Sequence, residues 1–169
     1  MQVTFKGTPL TLLGRQLQVG ERAPDFTCLS RELKPVSLSD FAGRLKLISS
    51  VPSLDTPVCE MQTRRFNQEA EKLPASVQPL TISMDLPFAQ GRFCATHGIE
   101  RMLTLSDHRD ASFGAAYGLL VKELRLLARS VLVLDGDDVI RHFQIVPELT
   151  EHPDYEAALA AVRGLLEAR

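Results

Sequence analysis

The sequence predicts an α/β fold, with a central mixed β-sheet flanked by helices and an N-terminal β-hairpin. Three observations predict it. From residue 45 onward, apolar strand-like runs alternate with segments of helical periodicity, which is typical of a sheet covered on both faces. Two later strand-like runs are joined by the turn Asp135–Asp138, which predicts an antiparallel hairpin within that sheet. Two β-prone runs flanking the turn Lys6–Pro9 predict a further hairpin at the N-terminus.

The elements predicted before residue 45 are short. They are the hairpin over about residues 1–13, with strands Val3–Phe5 and Leu10–Leu12, a strand Phe26–Leu29, and one helical turn over Ser39–Gly43. Glycine ends the helical turn because it adopts positive φ at little cost. This part of the chain is therefore expected to add strands rather than long helices to the fold.

Strands and helices alternate in the rest of the chain. In order they are strand Leu45–Val51, helix Val58–Leu73, strand Val77–Ser83, helix Phe88–His97, strand Leu103–Ser106, helix Ser112–Tyr117, strands Ser130–Leu134 and Val139–Val146, and helix Pro153–Glu167. Pro74 and Gly98 end the first two helices, as these residue types commonly do. This order is that of the thioredoxin fold with an N-terminal extension.

Length and composition are those of an ordinary globular protein. The 169 residues suggest one domain over 1–169, since a domain typically has about 100–200 residues. A net charge of −2 gives no reason to expect nucleic acid or an anionic membrane as a partner. The first residues show no basic run followed by an apolar core, so we expect no secretory signal, and no apolar run is long enough for a membrane span. We therefore expect a cytoplasmic protein, in which a cysteine pair is more often catalytic than structural.

Cys59 occupies a position that suits a reactive thiol. Thr56 is a good N-cap and Pro57 fits the first helical position, so Cys59 falls in the first turn of the predicted helix. The unpaired N–H groups and the positive end of the helix dipole favour an anion there, and hence the nucleophilic thiolate. The alternative is that Cys59 only packs beneath the helix.

The other two cysteines are less distinctive. Cys28 lies in a short apolar run and is expected to be a small buried hydrophobe. Cys94 lies on the next predicted helix and would reach Cys59 only if a helix end unwinds; two cysteines on separate helices are more often unrelated. There is no Cys-x-x-Cys motif, and the spacings match no zinc pattern, so no metal is expected.

Arg129 directly precedes the apolar strand Ser130–Leu134. A charged residue at such a place is most often solvated. If that strand lies beside Leu45–Val51, however, the guanidinium would lie near Cys59 and would stabilise its thiolate.

Three segments together resemble a known family. Pro52–Cys59 fits the peroxiredoxin pattern Pro-x-x-x-Thr-x-x-Cys. Asp85–Cys94 and Pro153–Leu159 are similar to segments of the bacterial thiol peroxidase subfamily of atypical two-cysteine peroxiredoxins. The resemblance covers nearly the whole chain, including the N-terminal hairpin. One departure is Ser49–Val51, which is more polar than the usual aliphatic–aromatic run.

The resemblance implies a role for five residues. Cys59 would be the peroxidatic cysteine and Cys94 the resolving cysteine, while Pro52 would shield the thiolate. Thr56 would hydrogen-bond the thiolate and the peroxide, and Arg129 would hold both. Cys28 matches no functional position of the family. The family also implies a homodimer, thioredoxin as electron donor, and no cofactor.

The implied reaction reduces hydrogen peroxide and organic hydroperoxides through a sulfenic acid and a Cys59–Cys94 disulfide, recycled by thioredoxin. Because a disulfide needs Cα atoms within about 7 Å, we expect local unwinding near one or both cysteines. Two alternatives stay open. One is a hydrolase or transferase with Cys59 as nucleophile, which needs a histidine base. The other is a redox sensor or holdase that uses the same disulfide as a switch.

Overall fold

The computed structural model describes residues 1–169 as two sheets and four α-helices. The strands are β1 (Gln2–Phe5), β2 (Thr8–Leu13), β3 (Thr27–Leu29), β4 (Pro35–Ser37), β5 (Leu45–Ser50), β6 (Val77–Ser83), β7 (Leu103–Ser106), β8 (Leu120–Val121), β9 (Leu126–Leu127), β10 (Ser130–Leu134) and β11 (Ile140–Ile145). The helices are α1 (Pro57–Glu71), α2 (Pro87–His97), α3 (Ser112–Ala116) and α4 (Tyr155–Glu167), with a 3₁₀ turn at Leu38–Phe41.

The main sheet is mixed, as the sequence predicts. Its seven strands lie in the order β11-β10-β5-β6-β7-β3-β4. Strands β5, β6 and β7 run parallel, while β10 pairs antiparallel with both β5 and β11. The α/β thioredoxin-like fold is therefore confirmed, and β10 lies directly beside β5.

The main sheet separates two apolar cores, because alternate side chains of a strand point to opposite faces. On β10, Val131 and Val133 belong to the core that also contains Phe66 of α1, Phe93 of α2 and Leu159 of α4. The alternate β10 residues belong to a larger core, with residues of the N-terminal hairpin and of α3. Both Cys59 and Cys94 lie in the first of these cores.

The N-terminal hairpin belongs to a second sheet, in the order β1-β2-β8-β9. Sequence patterns did not predict β4, β8 or β9. Each has only two or three residues, too few to show a period, and each forms because a neighbouring strand offers its edge.

Helix ends follow local chemistry. Helix α1 begins at Pro57, with Thr56 as its N-cap. Helix α4 begins at Tyr155 rather than at the predicted Pro153, because the Asp154 carboxylate caps it by accepting a hydrogen bond from Ala157 N at 3.0 Å. None of the helices combines the length and the apolar character needed to cross a bilayer.

Candidate active site

Cys59 lies in the first turn of α1, as predicted, and its side chain is completely buried. The first N–H groups of a helix have no intrahelical acceptor, so the start of α1 carries positive partial charge. The Thr63 hydroxyl donates to Cys59 O at 2.9 Å, within the helix. The backbone therefore holds Cys59 at a place that favours an anionic sulfur.

Arg129 completes the surroundings of this sulfur. Its Nη2 donates to Cys59 Sγ at 3.3 Å, and it is the only side chain within hydrogen-bond distance of that sulfur. Arg129 is 2% exposed, so its charge is little screened by water. The antiparallel pairing of Ser130 with Ser50 carries Arg129 to the end of β5, where the chain turns toward α1. The strand adjacency on which the prediction depended is present, and it brings the guanidinium beside Cys59.

A buried polar network orients the guanidinium. Arg129 Nη1 donates to Gln62 Oε1 at 2.9 Å, and Gln62 Nε2 donates to Ser49 Oγ at 2.6 Å. Gln62 follows Cys59 by three residues on α1, so both side chains lie on the same face of the helix. Sequence reasoning missed Gln62, although its i+3 spacing from Cys59 was a usable signal.

The polar run before Pro52 has the same explanation. Ser49 accepts the hydrogen bond from Gln62, while Ser50 Oγ donates to Ala128 O at 2.7 Å and lies 2.5 Å from Ser130 Oγ. Both serines are fully buried. Buried hydroxyls cost little when they are hydrogen-bonded, so this departure from an apolar run is accommodated by partners on neighbouring elements.

A cavity of about 440 Å³ lies at this site. Its lining residues include Pro52, Thr56 and Val58 from the loop and α1, Phe5 from the hairpin, and Arg129. The volume is within the usual range of about 300–1,000 Å³ for small-molecule sites. Cys59 does not line the cavity but contacts Arg129, which does. A ligand must therefore displace a lining side chain to touch the sulfur.

Thr56 and Pro52 take different places from Arg129. Both line the cavity, but neither hydrogen-bonds Cys59 Sγ. The Thr56 hydroxyl donates to Ser53 O at 2.9 Å and does not cap α1 with its side chain. The bond to the sulfur that the resemblance implies for Thr56 is thus not made in this structure, and would need a turn of its hydroxyl.

Cys94 lies on α2 in the same apolar core as Cys59. It is 3% exposed, and its Sγ lies 3.7 Å from Thr104 Oγ1. Both cysteines are free thiols. Helices α1 and α2 are also linked at the surface, where His97 Nδ1 lies 3.6 Å from Glu60 Oε1. The structure therefore puts both cysteines on one side of the sheet without joining them.

Asp85 ties the Cys59 loop to the segment that precedes α2. Its carboxylate accepts hydrogen bonds from Ser53 Oγ at 3.0 Å, Leu54 N at 2.9 Å and Ser83 Oγ at 2.7 Å. Sequence reasoning gave Asp85 no role of its own. These hydrogen bonds oppose any unwinding of the loop that would bring the two cysteines together.

Cys28 lies in the larger core, 2% exposed, as expected for a structural cysteine. Its thiol donates to Asp107 Oδ1 at 3.5 Å. Burial raises the pKa of the Cys28 thiol far above its ordinary value, and the charge of Asp107 raises it further. Asp107 also accepts from Phe113 N and Gly114 N, at 3.0 and 2.8 Å. Burial and the neighbouring carboxylate therefore both favour the protonated thiol at Cys28.

Other site types find little support among the side chains. No cluster of three or more histidine, cysteine, aspartate or glutamate residues is arranged to hold a metal ion. No histidine is hydrogen-bonded to Cys59, whereas a cysteine hydrolase needs such a base. The site thus consists of a buried sulfur, a guanidinium and an adjoining cavity, an arrangement suited to a nucleophilic thiolate.

Comparisons with known proteins place the chain in a family. The family model described as Redoxin matches residues 18–159. The chain therefore belongs to the Redoxin family.

Its curated relatives are bacterial thiol peroxidases. The chain is 55% identical to the thiol peroxidase of Halalkalibacterium halodurans over 164 residues, covering 97% of this chain and 98% of that protein. It is 52% identical to the thiol peroxidase of Bacillus subtilis over 166 residues, covering 98% and 99%. This similarity over nearly the full length shows a thiol-dependent peroxidase of the peroxiredoxin type.

Solved structures agree on the fold. A peroxiredoxin-like protein from Aquifex aeolicus superposes with a TM-score of 0.91 at 38% identity, covering 97% of this chain and 96% of that one. A thiol peroxidase from Chromobacterium violaceum superposes with a TM-score of 0.89 at 19% identity, covering 100% and 99%. At that lower identity the second likeness speaks only for the architecture.

Proposed function

We propose that Cys59 is the peroxidatic cysteine of this peroxidase and that it reduces hydrogen peroxide and organic hydroperoxides. The observation that carries the proposal is the 3.3 Å contact between Arg129 Nη2 and Cys59 Sγ in the first turn of α1. An adjacent cation and a helix N-terminus both favour the thiolate, which is the nucleophilic form of cysteine.

In the first step the thiolate attacks one peroxide oxygen. A sulfur–oxygen bond forms as the oxygen–oxygen bond breaks, so the sulfur is oxidised to a sulfenic acid and the peroxide is reduced. The leaving oxygen carries the electron pair, takes a proton, and departs as water or an alcohol. Arg129, with the N–H groups of the first helical turn, stabilises that developing charge; one such donor is typically worth about 2.7–4 kcal/mol.

Pro52 and Thr56 contribute from the cavity side. Pro52 shields the thiolate from water, and the Thr56 hydroxyl turns from Ser53 O toward the peroxide and the sulfur once the substrate enters. The support for both roles is their place in the cavity wall beside Arg129, together with the family pattern they match.

Cys94 acts in the second step as the resolving cysteine. Its sulfur attacks the Cys59 sulfenic acid, a disulfide forms, and the oxygen leaves as water. The shared apolar core supports this pairing, because both cysteines lie on the same side of the main sheet. Unwinding at the start of α1 would act on the loop that Asp85 holds by accepting from Ser53 Oγ and Leu54 N. Thiol–disulfide exchange with thioredoxin then returns both cysteines to thiols.

The remaining properties of the proposal rest on the family resemblance and the composition. We infer that thioredoxin is the electron donor, that the working form is a cytoplasmic homodimer, and that residues 1–169 act as one domain. The balanced charge of the chain supports the absence of nucleic-acid and membrane partners.

A thioredoxin-coupled assay with the Cys94→Ser variant tests this function. Wild type should consume many equivalents of peroxide, whereas Cys94→Ser should reduce one equivalent per chain and then stop. A wild-type protein that also stops after one equivalent of peroxide would favour the redox-sensor hypothesis. Normal cycling of Cys94→Ser would remove Cys94 from the resolving role.

A further inference from the structure

One backbone carbonyl accepts two hydrogen bonds from the Arg129 guanidinium and orients it. Arg129 Nε and Nη2 both donate to Leu149 O, at 3.1 and 2.7 Å. Leu149 belongs to the loop 146–150 that follows β11. The same loop bonds the Arg129 backbone, since Val146 N donates to Arg129 O at 2.9 Å. The orientation of the guanidinium therefore depends on where this loop lies.

Strand β1 of the N-terminal hairpin holds the loop in turn. Leu149 N donates to Thr4 O at 2.8 Å, and Thr4 N donates to Pro147 O at 2.7 Å. The backbone N–H and carbonyl of Leu149 thus bond to different parts of the molecule. Its N–H is bonded to the hairpin, while its carbonyl faces Arg129. Displacement of β1 would release the carbonyl that orients the guanidinium.

The Glu148 carboxylate secures this junction. Its Oε1 accepts from Gly7 N at 2.9 Å and from Thr4 Oγ1 at 3.0 Å. Its Oε2 accepts from Thr150 N at 2.9 Å and from Thr150 Oγ1 at 2.7 Å. The bonds from Thr150 and Gly7 lower the pKa of Glu148 to about 2, so the carboxylate is charged at any working pH. Gly7 has φ +82°, which lets its N–H turn inward at the hairpin tip.

A second carboxylate holds the hairpin without contacting this loop. Glu123, in the turn between β8 and β9, accepts from Thr11 N on β2 at 2.9 and 3.2 Å. It resembles Glu148 in type and in anchoring the hairpin through a backbone N–H. The two differ in that only Glu148 belongs to the loop that contacts Arg129.

We propose that Glu148 is a positioning residue for the peroxidase site, fixing the hairpin to loop 146–150 so that Leu149 O holds Arg129 against Cys59. The hairpin is then a working part of the active site rather than an appendage to the fold. This inference rests on the proposed role of Arg129 in stabilising the thiolate and the leaving oxygen.

The test compares Glu148→Ala with Glu123→Ala in the full-length protein. Stopped-flow measurement gives the second-order rate constant for oxidation of reduced Cys59 by hydrogen peroxide. Glu148→Ala should lower it about tenfold or more, because small misplacements of a charged group are costly in an active site. Glu123→Ala should change it by less than about twofold. The variant Glu148→Gln, which retains one acceptor oxygen, should recover part of the loss.

A spectroscopic readout separates positioning from general loosening of the fold. The Nε–H of Arg129, followed by ¹⁵N NMR, should exchange faster with solvent in Glu148→Ala but not in Glu123→Ala. Circular dichroism and thermal melts of both variants check that each is folded. Equal slowing of oxidation in the two variants, or an unchanged Arg129 Nε–H in Glu148→Ala, would overturn the inference.

The same protein set distinguishes failure of the inference from failure of the proposed function. Arg129→Lys and the double variant Arg129→Lys with Glu148→Ala complete a double-mutant cycle. The loss of oxidation rate in the double variant, as a free energy, should be well below the sum of the losses in the two single variants. Full additivity would contradict the inference. If Arg129→Lys alone oxidised Cys59 at the wild-type rate, Arg129 would have no part in the proposed function. The Nε–H exchange in Glu148→Ala would still decide whether Glu148 positions the Arg129 side chain.

Discussion

Cys59 and Cys28 are equally buried, yet their surroundings carry opposite charge. Their side chains are 0% and 2% exposed. Cys59 has a guanidinium at 3.3 Å and sits at a helix N-terminus, whereas Cys28 sits on β3 with a carboxylate at 3.5 Å. Burial alone therefore does not make a cysteine inert. The charge beside a buried sulfur adds to the effect of burial at Cys28, where it is negative, and opposes that effect at Cys59, where it is positive.

The two sulfurs also differ in access. Cys59 contacts a residue that lines the 440 Å³ cavity. Cys28 lies in the larger core with Phe26, Phe113 and Tyr117, whose rings pack edge-to-face and stacked at centroid distances of 4.5–5.9 Å. Neither Cys28 nor its partner Asp107 lines the cavity, so both position and neighbouring charge separate the two cysteines.

The largest difference between the two cysteines is expected when the sulfur of each is replaced by oxygen. Cys59→Ser should abolish peroxidase turnover, because a serine hydroxyl is neither ionised nor oxidised under these conditions. Cys28→Ser should keep near wild-type turnover in the coupled assay, with at most a modest loss of stability. Turnover by Cys59→Ser, or a large loss in Cys28→Ser, would break the contrast between the two cysteines.

Removal of the cation beside Cys59 comes next. Arg129→Gln keeps a hydrogen-bond donor but loses the charge, and it should slow Cys59 oxidation by about 10²-fold or more. Stopped-flow oxidation by hydrogen peroxide measures the effect, and a thermal melt checks folding. A rate within a few-fold of wild type would mean that helix position, not Arg129, is the main difference between the cysteines.

Removal of the anion beside Cys28 should have a smaller effect. Asp107→Asn should lower the pKa of Cys28 only in part, since burial is the larger cause of its rise. Peroxidase turnover should be unchanged, and alkylation of Cys28 should remain much slower than that of Cys59. Mass spectrometry after timed alkylation compares the two rates; rapid labelling of Cys28 in this variant would give charge a larger weight than burial.

The same variant tests a pH effect on stability. Burial raises the pKa of Asp107 above its ordinary 3.8, so its stabilising contribution is complete below that value and falls as pH rises through the folded-state pKa. The free energy of unfolding of wild type, relative to that of Asp107→Asn, should therefore be largest at low pH and should decrease as the pH rises. Urea titrations at several pH values measure it, and a difference that grows with pH would contradict the assigned direction.

Much of this arrangement was predictable from local sequence. Periodicity and the proline and glycine breaks placed the main strands and helices within a few residues. Thr56 and Pro57 placed Cys59 in a first helical turn. The short strands β4, β8 and β9 were not predictable, because strands of two or three residues form only when a neighbouring edge is available.

The polar contacts of the site lay beyond sequence reasoning for a different reason. Gln62, Asp85 and Glu148 are ordinary surface residue types whose partners are far away along the chain: Gln62 pairs with Arg129, and Glu148 with the hairpin. Apart from the i+3 spacing of Gln62 from Cys59, the sequence offers no reason to pair them, since sequence distance does not report spatial distance. The expected hydroxyl contact of Thr56 with the sulfur was not found either, because its nearest carbonyl competes for the same proton.

The sequence by itself determined the class of fold, the helix-start position of Cys59 and the family motifs around both cysteines, because these depend on residues close together in the chain. Only the tertiary structure decided that Arg129 meets Cys59, that Asp107 meets Cys28, and that Leu149 orients the guanidinium. Those contacts follow from strand order, since β10 lies beside β5, β3 beside β7, and β1 beside the loop after β11. Strand order is set by how the whole chain buries its apolar faces, which no local pattern encodes.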